Sequence, residues 1–140
     1  VYTGQTRDAN SILSTQKQET QNSSDTRDVI SKMVEQAYMI QSALELGSFD
    51  DFGRMMNEAW QLKKKVATSI SNPLLDQMYE RGTKEGGALG GKLLGAGGGG
   101  FLLFYVPSNS QEKFKTVMKN YRSFDFEFEN KGSELIFSSE

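Results

Sequence analysis

Hydrophobic positions recur at helical spacing through the first half of the chain. Apolar residues follow the 3.6-residue period over residues 25–46 and again over residues 48–70, which predicts two long helices. Gly47 is a suitable left-handed stop for the first helix, and so short a connection predicts an antiparallel pair. Pro73 suits the first turn of a third helix.

The period changes in the second half. Residues 101–106 (FLLFYV) form a continuous apolar run, which predicts a strand buried on both faces. A helical pattern follows over residues 108–121. Residues 124–129 then alternate Phe with acidic residues, which predicts a strand with its Phe side chains inward and a hairpin partner at residues 135–137. The sequence therefore predicts an α+β fold, an antiparallel sheet with helices packed on one face, in a single domain over residues 1–140.

Composition narrows the chemistry that this fold can perform. The 140 residues carry a net charge of -2 and include no Cys and no His. Disulfides, thiol chemistry, imidazole bases and His/Cys zinc sites are therefore excluded. We expect no bound metal from these residues, and the charge balance does not favour nucleic acid or an anionic membrane as a partner.

Nine of the 14 glycines lie within residues 86–100, and three familiar patterns in this region do not fit. A membrane helix would contain all nine glycines and would bury Lys92 near the bilayer centre. Residues 86–92 spell G-x-x-x-x-G-K, but Leu93 replaces the Ser or Thr of a phosphate-binding P-loop. Residues 95–100 match G-x-G-x-x-G, yet a strand follows where a dinucleotide site needs a helix.

The remaining interpretation is strand, glycine loop, strand. Residues 95–100 (GAGGGG) consist only of small side chains, so backbone amides can approach an anion or another main chain closely. A loop kept small for tight packing is the alternative. Five glycines among six residues are more than a structural turn needs.

GGKLLGAGGGGFLLFYV resembles the third motif of the GHMP small-molecule kinases, and most closely the bacterial D-glycero-D-manno-heptose 7-phosphate kinases. Three further segments are similar to that family and follow in its order: YTGQTR (residues 2–7), DFGR with EAWQLK (residues 51–63) and SNP (residues 71–73). The L-fucose kinases share the TGxTR and glycine elements, so the resemblance is more specific for the superfamily than for the sugar.

The resemblance implies one half of a two-domain kinase. In that family an N-terminal domain carries a phosphate loop and an acidic residue near the accepting hydroxyl, and neither motif appears in this sequence. We therefore expect a C-terminal domain whose partner is the N-terminal ATP-binding domain, with the catalytic residues, ATP and Mg²⁺ belonging to the complete enzyme. The expected reaction is phosphorylation of the anomeric hydroxyl of a heptose 7-phosphate for surface polysaccharide in a bacterial cytoplasm.

The resemblance also implies site residues. The third-motif loop comprises Gly95, Ala96, Gly97, Gly98, Gly99 and Gly100. Four side chains are candidates for binding the substrate: Arg7, which could grip a sugar phosphate, and Trp60, Lys63 and Lys92. Each has a plainer interpretation: a surface Arg, a core Trp, a solvated Lys face over residues 63–65, and a Lys that extends to solvent. A non-catalytic α+β module that binds a small anion or a protein partner is the rival to the kinase hypothesis.

Overall fold

A computed structural model of the chain describes residues 1–5, 24–66, 69–95 and 97–124, together with seven others. Those seven are Asn10, Leu13, Ser14, Lys17, Phe126, Lys131 and Gly132. The predicted hairpin partner at residues 135–137 lies outside the described residues.

Two long helices form the first layer: α1 (Ser24–Glu45) and α2 (Phe49–Val66). Gly47, with φ of +70°, ends α1. The Ser48 N–H donates to the Ala43 carbonyl at 2.9 Å and the Gly47 N–H donates to the Leu44 carbonyl at 3.1 Å. This is the bond pattern of a glycine-terminated helix, so the predicted stop at Gly47 is confirmed.

The third helix, α3 (Pro73–Glu80), begins as predicted with proline in its first turn. The Asn72 side chain caps it, because its Oδ1 accepts from the Leu75 N–H at 3.1 Å. A π-helical turn, Arg81–Glu85, continues α3 without a break.

The sheet consists of β1 (Gly90–Leu93) and β2 (Leu102–Tyr105), paired antiparallel with Gly90 opposite Tyr105 and Leu93 opposite Leu102. A 3₁₀ turn (Ser108–Ser110) and the short helix α4 (Gln111–Val117) follow. The predicted α+β fold is confirmed.

The amino end of the chain lies alongside β2. The Val1 nitrogen donates to the Leu102 carbonyl at 2.8 Å, and the Leu102 N–H donates back to the Val1 carbonyl at 2.8 Å. Tyr2 forms an antiparallel bridge to Phe101.

The core lies between the sheet and helices α2 and α3. Its members are Trp60, Val66, Ile70, Leu75, Met78, Tyr79, Leu93 and Leu102. Each large apolar side chain of this kind contributes about 1.5–3 kcal/mol of gross burial energy. The buried Tyr79 hydroxyl donates to Asn57 Oδ1 at 2.9 Å, and burial raises its pKa to about 12.

Helix α2 approaches β1 at the distance that a glycine allows. A Cβ at Gly90 would meet the carbonyl oxygen of Gly53 and would lie 2.7 Å from the backbone nitrogen of Asn57. Both atoms belong to the backbone of α2 and cannot rotate away as a side-chain atom could. The position therefore fixes α2 over this part of the sheet.

Two burial predictions are wrong. Strand β2 is not buried on both faces, because only Leu102 is fully buried and Leu103, Phe104 and Tyr105 are partly exposed. Phe124 and Phe126 do not face the core, being 47% and 62% exposed. The Phe124 ring instead packs on the Phe101 ring, with 5.5 Å between centroids, and under the Arg122 guanidinium at 4.7 Å.

Candidate functional site: the glycine loop between β1 and β2

The glycine loop, residues 95–100, connects β1 to β2. Its ends are held together because the Leu94 N–H donates to the Phe101 carbonyl at 2.8 Å. Positive φ angles occur at Gly95 (+83°), Gly97 (+123°), Gly98 (+74°) and Gly100 (+101°). Residues other than glycine rarely adopt these φ angles. The backbone path of the loop therefore requires glycine for its conformation as well as for its small size.

Backbone bonds tie the loop to the rest of the fold. The Gly98 N–H donates to the Ile70 carbonyl at 2.9 Å, and the Gly100 N–H donates to the Gln5 carbonyl at 2.9 Å. The Gly100 carbonyl accepts from both the N–H and the hydroxyl of Thr3, each at 2.9 Å. The second half of the loop is therefore held in one place by neighbouring segments.

Asn72 links the loop to helix α3. While its Oδ1 caps the helix, its Nδ2 donates to Gln5 Oε1 at 2.9 Å and approaches the Gly98 carbonyl at 3.5 Å. One side chain thus connects the start of α3, the amino-terminal segment and the loop.

Lys63 contacts the other half of the loop. Its Nζ donates to the Gly95 carbonyl at 2.8 Å. Burial lowers the pKa of Lys63, and the nearby charge of Lys92 lowers it further.

Lys92 is the exposed residue of β1. Residues two apart on a strand point to the same face, so Lys92 points as Gly90 does, towards the side where α2 passes. The structure therefore brings Lys63, Lys92 and the glycine loop together.

The other two sequence candidates and one loop residue have different outcomes. Trp60 is 1% exposed and lies in the core, with its ring centroid 6.0 Å from that of Tyr79. This burial favours the core-packing interpretation of Trp60 over substrate binding. Arg7 and Ala96 lie outside the described residues.

Sequence reasoning missed the residues that hold the loop. The bond from Gly98 to Ile70 and the bond from Gly100 to Gln5 use main-chain carbonyls, which any residue provides. For Asn72 the capping position ahead of Pro73 was a readable signal, although nothing in the sequence pointed to its contacts with Gln5 and the loop.

Within the described part of the chain, no cluster of three or more acidic side chains is arranged to hold a metal ion. No helix in that part combines the length and apolar character needed to span a bilayer. The loop of small residues lies beside two lysine ammonium groups, and such groups are suited to binding phosphate.

Comparison with known proteins gives one family match. Residues 40–122, more than half of the chain, match the family model described as GHMP kinases C terminal. The matched segment contains α2, α3, both strands and the glycine loop.

Curated relatives and a solved structure agree with that match. The chain is 28% identical over 98 residues to the D-glycero-alpha-D-manno-heptose 7-phosphate kinase of Campylobacter jejuni, covering 69% of this chain and 29% of that protein. It is 34% identical over 102 residues to the L-fucokinase/L-fucose-1-P guanylyltransferase of Bacteroides fragilis, covering 72% of this chain and 10% of that protein.

The solved structure is that of L. major mevalonate kinase in complex with R-mevalonate. It superposes with a TM-score of 0.75 at 21% sequence identity, over 86% of this chain and 37% of that one. The fold is therefore shared, and the chain spans less than a third of the length of either curated relative.

Proposed function

The chain belongs to the GHMP kinase C-terminal family, and from this membership we propose that it forms the acceptor-side half of an ATP-dependent phosphotransferase. The other half is an N-terminal domain of the complete protein. That domain supplies the catalytic residues and the site for ATP and Mg²⁺. The cleft between the two domains holds both substrates.

The observation that carries this proposal is the constrained glycine loop. Phosphoryl transfer depends more on positioned groups around the developing charge than on covalent chemistry by the protein. Gly98 and Gly100 are tied to Ile70 and Gln5, so the loop presents main chain in a fixed place without side chains in the way. Such a loop lets a phosphoryl group approach closely from the facing domain.

The acceptor that we propose is a heptose 7-phosphate. The γ-phosphoryl group of ATP passes to the anomeric oxygen, the hydroxyl proton leaves, and ADP and a sugar 1,7-bisphosphate are released. The name of the Campylobacter relative supports this acceptor. The Bacteroides relative supports L-fucose as the second candidate. A heptose product belongs to the supply of activated sugar for surface polysaccharide in the bacterial cytoplasm.

An acceptor panel on the full-length protein tests the proposal. ADP release is followed with heptose 7-phosphate, L-fucose and mevalonate, each at several concentrations with saturating ATP and Mg²⁺. We expect kcat/KM for heptose 7-phosphate to exceed the other two by at least tenfold, since a missing polar group costs a matched site about that much or more.

The panel tests the heptose assignment and the kinase assignment separately. A preference for L-fucose would overturn the heptose assignment and leave the kinase assignment standing. ADP release that no acceptor stimulates would overturn the kinase assignment itself.

A further inference from the structure

Two lysines beside the glycine loop differ from the paired lysines of the chain. Lys64, Lys84 and Lys115 each lie within 3.2 Å of a carboxylate oxygen, those of Asp76, Glu80 and Glu112. Among the residues that the structure describes, no carboxylate forms an ion pair with Lys63 or Lys92. Their positive charges are therefore not compensated by the acids that the structure describes.

Lys63 and Lys92 also both lie at the β1 end of the glycine loop. The Lys63 Nζ is fixed at the β1 end of the loop by its bond to the Gly95 carbonyl. Lys92 extends from the face of β1 over which α2 passes. Lys92 is close enough for its charge to lower the pKa of Lys63.

Such an arrangement is unfavourable until an anion occupies it. Two like charges repel, and partial burial removes water that would screen Lys63. A phosphate monoester brings a charge of about -1.5 to -2 and three acceptor oxygens at neutral pH. One phosphate group can therefore accept hydrogen bonds from both ammonium groups and cancel their repulsion.

We propose that Lys63 and Lys92 form the binding site for the phosphate group that the acceptor substrate already carries. The inference rests on the proposed function and deepens it by assigning the residues that hold the acceptor's own phosphate. An acceptor of this kind needs one site for its own phosphate and another for the phosphoryl group in transfer. The lysines at the Gly95 end of the loop provide the first, whereas the N–H groups of Gly98 and Gly100 already donate to Ile70 and Gln5 and are not free for the second.

The first test is direct binding of inorganic phosphate to the 140-residue chain. NMR titration at constant ionic strength is expected to shift the amides of Lys92 and of the glycine loop. Lys92→Gln and Lys63→Gln should each weaken binding at least fivefold. Lys65→Gln removes the same charge from an exposed position on α2 and should leave binding within twofold.

Lys92 makes the decisive variant because its side chain is exposed, so Lys92→Gln should keep the circular dichroism spectrum of the parent. An absence of loop shifts would overturn the proposal. Equal weakening by Lys65→Gln and Lys92→Gln would also overturn it, since this would mean nonspecific attraction to a basic surface.

The second test distinguishes the acceptor's phosphate from those of the nucleotide. In the full-length enzyme, Lys92→Gln should raise KM for heptose 7-phosphate at least tenfold, with KM for ATP and kcat changed by less than twofold. The same variant should not affect KM for the heptose that lacks the phosphate. A rise in KM for ATP alone would overturn the assignment to the acceptor. If the enzyme phosphorylates no acceptor, the proposed function fails, and the phosphate titration still decides whether the lysine pair binds phosphate.

Discussion

The backbone angle of a single loop residue, Gly97, has a measurable consequence. Its φ of +123° lies where a β-branched side chain is strongly disfavoured. Gly97→Val should cost about 1–3 kcal/mol of stability through strain and should lower turnover of the full-length enzyme at least 100-fold, because the loop can no longer follow its path. Urea unfolding and a coupled ADP assay measure the two effects.

Gly47 provides the matched control. It also has a positive φ, +70°, and open space around its Cα, but it lies in the turn between α1 and α2. Gly47→Val should destabilise the protein to a similar degree while turnover remains within twofold. Near-normal turnover in Gly97→Val would mean that the loop is only a turn.

Lys63 and Trp60 show how far side-chain positions can be predicted from sequence. Their spacing of three residues places them on one side of a helix, yet Trp60 is buried and Lys63 reaches the loop. A lysine extends its charge beyond the packed layer on a flexible stem, while an indole ring stays where its base is buried. Spacing predicts a shared face, and side-chain chemistry decides which member of the pair meets a ligand.

At the scale of elements, Asn72 couples a helix to the loop, and two substitutions separate its roles. Asn72→Asp keeps the Oδ1 cap on Leu75 and removes the Nδ2 donor to Gln5 and the Gly98 carbonyl. Asn72→Ala removes both. We expect Asn72→Ala to cost about 0.5–2 kcal/mol more than Asn72→Asp in urea unfolding, the usual worth of a helix cap.

Amide hydrogen exchange measures how the same two Asn72 substitutions affect the glycine loop. Both variants should speed exchange at Gly98 and Gly100, whose N–H groups are bonded to Ile70 and Gln5. Unchanged exchange at these two amides in Asn72→Asp would show that the main-chain bonds hold the loop without help from Asn72.

The helices were predictable because two independent signals agreed, the 3.6-residue apolar period and the residues at their ends. Gly47 and Pro73 lie where the sequence predicted a stop and a start. The burial of the carboxyl-terminal strands was not predictable in this way. Alternation shows that Phe124 and Phe126 share a face, but it does not show whether another layer covers that face, and both side chains are exposed. The π-helical turn at Arg81–Glu85 likewise has no signature in the sequence.

At the scale of the molecule, the chain contains one side of the proposed cleft. It spans 29% of the length of its heptose kinase relative, and its sequence lacks the family's phosphate loop. We expect the purified 140-residue chain to show no ADP release above background with ATP, Mg²⁺ and heptose 7-phosphate. Magnesium-dependent turnover by a preparation free of contaminating kinases would contradict this expectation.

The pairing of the amino end with β2 couples the position of that end to the position of the glycine loop. Val1 is bonded to Leu102, and Thr3 and Gln5 are bonded to Gly100, so the first five residues run antiparallel to the segment that leaves the loop. A displacement applied ahead of Val1 would be transmitted along this short ladder to Gly100 through main-chain bonds alone. If a domain attached there moved, the glycine loop would be displaced with it, so the conformation of the loop would depend on the position of that domain.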